Sequence, residues 1–215
     1  MKLAAAAAAL KRQSGGISAP FSLAFPTDRR RIANPEPVLR ALPAGAAVIY
    51  RDYDDPKRVW IARRYAAICK ARGVLFLVAE DEALAQAIGA DGVHWPARML
   101  RDFFPPASGG AGARLLVTAA CHNAEDLALA HARGADLALL SPAFATPSHP
   151  DTEYLGPARF RALAAASPLP VLGLGGVDEN NAALLAGRNV AGIAAIGAFA
   201  GTMATRLGRA LRSKS

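Results

Sequence analysis

The stretch LPVLGLGGVDENNAALLAGRNVAGIAAIGAF, residues 169–199, is the part of the sequence that decides the fold. Its two apolar runs, 169–174 and 191–196, are continuous, and each is followed by glycine. Continuous apolar runs are typical of parallel strands that are buried on both faces. The polar segment between the runs predicts a helix from Asp178 to about Gly187. The stretch therefore predicts a strand, a helix and a second, parallel strand.

Six more apolar runs of the same kind precede this stretch. They lie at 20–26, 46–51, 74–78, 91–95, 114–119 and 136–140. Eight such units in 215 residues predict an α/β protein folded as a single (β/α)8 barrel, also called a TIM barrel. A doubly wound open sheet is the second interpretation, although that fold usually has fewer strands.

Capping residues, prolines and glycines delimit the predicted helices. The expected ranges are 35–42, 56–72, 81–88, 123–133, 157–167, 178–187 and 201–212, with a short irregular piece at 96–104. An extra helix is predicted at 1–16, because this segment is rich in alanine, the best helix former, and ends in Ser-Gly-Gly. The chain is thus divided into an N-terminal Ala-rich helix, 1–16, and a barrel domain, 17–215. We expect the helix to cover the bottom of the barrel.

Composition excludes several classes of protein. No stretch of about 18 strongly apolar residues occurs, so we expect no membrane-spanning helix. Two cysteines cannot form a disulfide framework, and a cytoplasmic location is the default. The net charge of +8 is dispersed along the chain. This favours an Arg-rich surface, or attraction of a small phosphorylated substrate, over nucleic-acid binding.

The functional residues of such a barrel lie at the C-terminal ends of its strands. Gly175 and Gly176 follow the seventh run, and Gly197 follows the eighth. Because glycine lets backbone N–H groups approach a phosphate, we expect a phosphate site there; the alternative is a pair of tight turns. The loop SPAFATPSHPD, 141–151, adds hydroxyl groups and His149, or is a rigid surface loop.

Three other strand ends carry candidate residues. Arg51 could bind a phosphate or diphosphate, or pair with Asp52 or Glu80. Glu80 and Asp81 could hold Mg²⁺, although Asp81 suits a helix N-cap better. His122 could act as a general acid or base, or donate to a loop carbonyl group.

In their order and spacing these pieces resemble the thiamine phosphate synthase family and its relative, the thiazole tautomerase TenI. The matching pieces are TDR at 27–29, YRD at 50–52, ADGVH at 90–94, His122 with Glu125, GAD at 134–136, and the loops at 141–151, 172–177 and 194–199. The resemblance covers nearly the whole chain after the N-terminal helix. It implies a (β/α)8 barrel that joins a pyrimidine carried on a diphosphate to a phosphorylated hydroxyethylthiazole. Diphosphate leaves in that reaction, assisted by Mg²⁺.

The resemblance places the thiazole phosphate against residues that this sequence largely keeps. They are Thr146, Ser148, Gly175, Gly176, Ile196 and Gly197. Serine at 148 replaces a threonine, and glycine at 197 replaces a common serine, which leaves the backbone donor in place.

The diphosphate side departs from the family pattern. Arg51 matches the family's arginine, whereas Tyr53 and His149 stand where lysines are expected. Ala79 and Ala120 replace an asparagine and a serine that the family places near the pyrimidine.

The resemblance also implies a Mg²⁺ cofactor, whose ligands are altered here. Glu80 can replace one aspartate ligand, but the second position is Met99. A thioether cannot replace a carboxylate as a Mg²⁺ ligand. If Arg98 points into the barrel mouth, its positive charge could stand where the metal was.

Four hypotheses follow. The first is a divergent synthase acting on thiazole phosphate and a pyrimidine diphosphate, with Arg51, His122 and His149 as candidate catalytic residues. The second is a TenI-like tautomerase that uses His122 and needs no metal. The third is a non-catalytic binder of thiazole phosphate or thiamine phosphate. The fourth, a basic surface for nucleic acid, is disfavoured by the strand-end chemistry. The sequence predicts neither a nucleic-acid nor a membrane partner; relatives are often homo-oligomers, and the sequence leaves this state open.

Overall fold

Eight parallel strands close into a barrel in the computed structural model of the chain, which describes residues 2–101, 114–146 and 153–200. Each strand pairs with the next along the chain, and the eighth pairs with the first. The strands are β1 (Leu23–Pro26), β2 (Ala47–Tyr50), β3 (Leu75–Ala79), β4 (Gly92–Trp95), β5 (Leu116–Cys121), β6 (Leu137–Leu140), β7 (Val171–Gly173) and β8 (Val190–Ala194). Each overlaps the apolar run that predicted it, so the predicted barrel is confirmed.

The helices alternate with the strands. Within the described ranges they are α1 (Lys2–Gln13), α2 (Glu36–Ala41), α3 (Arg58–Lys70), α4 (Glu82–Ile88), α5 (Ala124–Ala132) and α6 (Gly156–Ala166), with 3₁₀ helices at Ala97–Met99 and Ala182–Leu185. Two capping residues predicted from the sequence are present. The Asn123 side chain accepts a hydrogen bond from the N–H of Asp126, and Asp81 caps α4 in the same way through Leu84.

The α-helix predicted at 178–187 is absent, which corrects that prediction. Asp178 Oδ1 instead accepts from the N–H groups of Asn180 at 2.8 Å and Asn181 at 3.0 Å. The Asn181 side chain in turn accepts from the N–H of Asp178 at 2.9 Å. These reciprocal bonds form a capping box, which begins a helical turn. The chain then becomes extended at Ala186 (φ −55°, ψ 128°), so only the 3₁₀ helix Ala182–Leu185 follows β7.

Two apolar layers hold the barrel together. Small and branched side chains fill the interior, among them Ala47, Ile49, Leu77, Leu139 and Leu172. Alternate strand positions point outwards and pack under the helices, among them Phe25, Val48, Phe76, Val117 and Leu140. This alternation between interior and exterior is the pattern of a packed (β/α)8 core.

The N-terminal helix α1 lies on the side of the barrel, which corrects the expectation that it covers the bottom. Its buried Leu3, Ala7 and Leu10 belong to the outer apolar layer, where α1 contacts β8 and the 3₁₀ helix Ala182–Leu185. The segment after α1 contributes to the interior cluster instead, through Phe21. The missing α-helix between β7 and β8 leaves that side open for α1 to cover.

The described part of the chain contains no helix that is long and apolar enough to cross a membrane. Residues 197–200 are helical and follow β8 after two intervening residues. The last predicted helix, 201–212, lies outside the described residues.

Candidate active site

A cavity of about 1010 Å³ opens at the C-terminal ends of the strands, the end at which (β/α)8 barrels place their active sites. Residues after seven of the eight strands line it: Asp28 and Arg31 after β1, Arg51 after β2, Arg98 after β4, His122 after β5, Ser141 and Thr146 after β6, Gly175 and Gly176 after β7, and Ile196 and Gly197 after β8. His94 of β4 and Leu139 of β6 also face this space.

The glycine pair after β7 is required by the packing of the neighbouring loop. A Cβ atom on Gly176, whose φ is +64°, would lie only 2.4 Å from the carbonyl oxygen of Ala145. The N–H of Phe144 donates to the Gly175 carbonyl oxygen at 3.0 Å, which joins the loops after β6 and β7. The tight turn considered from the sequence is therefore present, and it holds Thr146 beside the cavity.

The same turn leaves backbone donors at the cavity wall. In the ranges that the structure describes, the N–H groups of Gly175, Gly176 and Gly197 donate to no protein acceptor. They lie on the wall that also carries Thr146 and Ile196, and such unpaired N–H groups suit a phosphate. The predicted Ser148 and His149 lie outside the described residues.

Arg51 is held at the end of β2 by the residues that follow β1. Its Nε donates to the carbonyl oxygen of Thr27 at 3.1 Å, and its backbone N–H donates to the Thr27 hydroxyl at 2.9 Å. Its Nη2 lies 3.8 Å from the carboxylate of Asp28. The partner is therefore Asp28 rather than Asp52 or Glu80, which corrects the alternatives drawn from the sequence. The guanidinium remains part of the cavity wall.

His94 forms part of the cavity wall as a buried, neutral side chain. Its Nδ1 lies 2.9 Å from the Thr118 hydroxyl, which itself donates to the Val93 carbonyl oxygen. The imidazole is thus tied to β5 through Nδ1. Burial, and to a lesser extent the charge of Arg51, lowers the pKa of His94 to about 3.

His122 faces the cavity from the end of β5. Its Nδ1 lies 2.8 Å from the Ser141 carbonyl oxygen, which can only accept, so the ring donates from Nδ1. The carbonyl contact considered from the sequence is therefore present. It also fixes the tautomer, which leaves Nε2 with a lone pair able to take a proton. The carboxylate of Asp126 accepts from the His122 backbone N–H at 2.8 Å and fixes the loop.

Glu80 and Arg98 form an ion pair across the ends of β3 and β4. The Arg98 guanidinium carbon also lies 5.8 Å from the centre of the Tyr53 ring. Burial raises the pKa of Tyr53, and the Glu80 carboxylate adds to this effect. Met99, the expected second metal position, packs against the outer apolar layer instead of facing the cavity. Arg98 lines the cavity, as the sequence-based hypothesis required.

The described residues do not fit a Mg²⁺ ion. Mg²⁺ takes one or two carboxylates together with waters and substrate oxygens in near-octahedral geometry, whereas the Glu80 carboxylate, the candidate ligand predicted from the sequence, contacts a guanidinium. No group of three or more His, Cys, Asp or Glu side chains in the described ranges could hold a metal. The cations on this side of the cavity are therefore the chain's own guanidinium groups.

Two cavity arginines were not predicted from the sequence. Arg31 pairs with Asp28 at 3.2 Å, and Arg159 pairs with Glu153 at 3.0 Å. Arg31 belongs to the run Arg29–Arg31, whose position after the first strand was a usable signal. Arg159 lies on α6, a helix rather than a strand end, so the rule of strand ends could not find it.

A sequence profile described as thiamine monophosphate synthase matches residues 24–199, which includes every described strand except the first residue of β1. The chain belongs to this family. It is 35% identical to a thiamine-phosphate synthase of Thioalkalivibrio sulfidiphilus over 74% of this chain and 75% of that protein. It is 33% identical to a thiamine-phosphate synthase of Laribacter hongkongensis over 74% and 76% of the two chains.

Two further relatives agree with this assignment. The bifunctional thiamine biosynthesis protein ThiM/ThiE of Symbiobacterium thermophilum is 35% identical over 79% of this chain, which spans only 36% of that longer protein. The solved structure of a thiamine phosphate pyrophosphorylase from Pyrococcus furiosus superposes with a TM-score of 0.67 and 26% identity, over 83% of this chain and 87% of that one. The family predicted from the sequence is confirmed, and these similarities support a thiamine-phosphate synthase-like transferase.

Proposed function

We propose that this protein forms thiamine phosphate from a pyrimidine diphosphate and a phosphorylated hydroxyethylthiazole. The observation that carries the proposal is the arrangement of one cavity. A wall of unpaired backbone N–H groups lies at the ends of β7 and β8, and guanidinium groups lie at the ends of β2 and β4. Such a cavity suits two anionic substrates held side by side, so that orientation lowers the barrier to their joining.

We assign the thiazole phosphate to the loops after β6, β7 and β8. Gly175, Gly176 and Gly197 would donate backbone N–H groups to its oxygens, with the Thr146 hydroxyl beside them. Ser148 belongs to the same loop as Thr146 and stays a predicted contact, as does the backbone of Ile196.

The proposed reaction places charge on the opposite side of the cavity. The bond between the pyrimidine's methylene carbon and the diphosphate oxygen breaks, the carbon forms a bond to the thiazole nitrogen, and diphosphate leaves with the electron pair. Arg51 and Arg98 would stabilise that developing charge. We infer that this end is altered relative to the family, because Tyr53, Ala79 and Met99 replace its expected polar or acidic side chains. His149 stays a predicted contact for the same group.

A second candidate, a TenI-like thiazole tautomerase, is favoured by one observation. The tautomer of His122 leaves Nε2 able to remove a proton from a thiazole phosphate bound in the same cavity. This reaction needs neither a metal nor the second substrate. A non-catalytic binder of the thiazole phosphate or of thiamine phosphate would use the same wall and no proton transfer.

The assay that separates these functions follows diphosphate release. Purified full-length protein receives the pyrimidine diphosphate and the thiazole phosphate, with and without Mg²⁺, and turnover is expected. Absence of turnover in both buffers would contradict the synthase. Tautomerisation of a thiazole phosphate that is lost in His122→Ala and kept in His131→Ala, on the exposed end of α5, would instead support the TenI-like function. Binding of the thiazole phosphate without either reaction would identify a binding protein.

A further inference from the structure

The ends of β2, β3 and β4 carry a cluster that the proposed reaction leaves partly unexplained. Glu80 accepts from the Arg98 guanidinium, and the guanidinium carbons of Arg58 and Arg98 lie 5.6 Å and 5.8 Å from the centre of the Tyr53 ring. Both distances are in the range of cation–π contacts. We call Tyr53, Arg58, Glu80 and Arg98 the guanidinium cluster.

The backbone fixes the acidic member of this cluster. Glu80 has a φ of +66°, a left-handed conformation that is uncommon for glutamate. Its N–H donates to the His94 carbonyl oxygen at 3.0 Å, which ties the end of β3 to β4. Arg58 donates to the carbonyl oxygen of Ala79 at 2.6 Å, which ties α3 to the same strand end. The backbone at Glu80 is therefore held in place, and Arg98, in the 3₁₀ helix after β4, reaches its carboxylate.

The ion pair between Glu80 and Arg98 is weak enough for an anion of higher charge to replace Glu80. The Arg98 side chain is 60% exposed, and exposed pairs of single charges contribute little to stability. Arg98 also lines the cavity with Arg51, so an anion that carries several charges can engage both guanidinium groups. Arg98 contacts Glu80 through one nitrogen–oxygen pair, whereas a diphosphate offers enough oxygens for bidentate contacts with both guanidinium groups and can displace the single carboxylate.

We propose that Arg98 is held by Glu80 in the empty protein and transfers to diphosphate when that group binds, together with Arg51 and without a divalent cation. Glu80 then acts as a competitor for Arg98 and not as a metal ligand. The inference rests on the proposed function for the source of the diphosphate. It assigns to one arginine the charge compensation that Mg²⁺ supplies elsewhere in the family.

The direction in which Glu80→Gln changes the affinity for diphosphate tests this inference. Inorganic diphosphate is titrated into full-length protein by calorimetry, once in EDTA and once in excess Mg²⁺. We expect binding in EDTA, a loss of about tenfold in affinity for Arg98→Ala, and tighter binding for Glu80→Gln, since the competing charge is removed. Arg114→Ala breaks a similar exposed pair with Asp136 at the other end of the barrel, and Glu36→Gln removes the partner of Arg64. Both controls should leave the affinity unchanged.

The opposite results would overturn the inference. Binding that appears only with Mg²⁺ and weakens in Glu80→Gln would make Glu80 a metal ligand. No diphosphate binding in either buffer, with the thiazole phosphate still bound, would overturn the inference and leave the thiazole-phosphate site standing. Loss of both ligands in the unaltered protein would contradict the proposed function itself. Arg98→Lys, which keeps the charge but not the planar fork, should fall between Arg98→Ala and the unaltered protein.

Discussion

A buried neutral histidine makes the stability of the fold depend on pH. His94 has a pKa of about 3 in the folded chain, whereas an unfolded histidine titrates near its ordinary value of about 6.5. Below that value the unfolded chain therefore binds a proton that the folded chain does not. The contribution of His94 to stability is complete above about pH 6.5 and is lost as the pH falls towards 3.

We predict that this linkage lowers the free energy of unfolding by about 2 kcal/mol between pH 7 and pH 5. Urea unfolding at the two pH values measures it. His94→Gln should reduce the difference, and His131→Gln, which alters an exposed histidine, should leave it intact. An equal pH dependence in His94→Gln and the unaltered protein would show that another group carries the effect.

Backbone conformation and a close contact both disfavour a side chain at Gly176, and Gly134, which has only the first constraint, serves to separate them. Its φ of +64° disfavours any side chain, and a Cβ would also meet the Ala145 carbonyl oxygen at 2.4 Å. Gly134 has a φ of +82° with open space around its missing Cβ. Gly134→Ala should therefore lower the free energy of unfolding by about 1 kcal/mol through backbone strain alone.

We predict that Gly176→Ala lowers the free energy of unfolding by about 3 kcal/mol, since the loop after β6 must move as well. It should also raise the KM for the thiazole phosphate, because the moved loop carries Thr146. Chemical denaturation and steady-state kinetics of both variants provide the comparison. Equal losses of stability in Gly176→Ala and Gly134→Ala would contradict the close contact between the two loops.

Among the elements, α1 replaces the cover that a helix after β7 would give. Its Leu10 is fully buried in the outer apolar layer. We predict that Leu10→Ala lowers the free energy of unfolding by about 2–5 kcal/mol, as large-to-small changes in a core do. Leu184→Ala, at a half-exposed leucine of the neighbouring 3₁₀ helix, should change it by less than about 0.5 kcal/mol. A small effect of Leu10→Ala in urea unfolding would mean that α1 is not an integral part of the fold.

The sequence predicted elements well where one local signal governs them. Continuous apolar runs identified all eight strands. The capping residues Asp81 and Asn123 identified the starts of α4 and α5, because each capping side chain and the N–H group it accepts from lie three residues apart. The capping bonds between Asp178 and Asn181 are present, but the helix at 178–187 was wrongly predicted, because the chain becomes extended at Ala186 after one short 3₁₀ helix. The place of α1 depended on that missing helix, so it could not be derived from α1 itself.

The sequence predicted the site residues only where the position of a strand end decides which residue reaches the cavity. Spacing placed Arg51, Gly176 and Gly197 at the cavity, as the structure also does. It could not decide whether Arg98 or Met99 faces inwards, because the short 3₁₀ helix Ala97–Met99 sets the direction of both side chains. It could not show that Glu80 is paired, since the pair joins two different strand ends.

At the scale of the whole molecule, the cavity carries only a small part of the net charge of +8. Arg31, Arg51, Arg98 and Arg159 line one cavity whose described acidic members are Asp28, Glu153 and Asp178. Positive charge around a cavity attracts anionic ligands over distances up to the Debye length, about 10 Å at 0.1 M salt. Two phosphorylated substrates would therefore meet four guanidinium groups at the cavity, while most of the net positive charge lies elsewhere on the chain.

We predict that raising NaCl from about 0.05 M to about 0.5 M increases the KM for both proposed substrates several-fold while kcat changes little, because screening acts on the approach of the anions. Initial rates at constant pH measure this effect, with sucrose at matched osmolality as the control. Fluorescence anisotropy with a single-stranded and a double-stranded oligonucleotide tests the competing use of the charge. Binding of either oligonucleotide that weakens steeply with salt, together with KM values that do not respond, would assign the positive surface to a polynucleotide instead of the cavity's ligands.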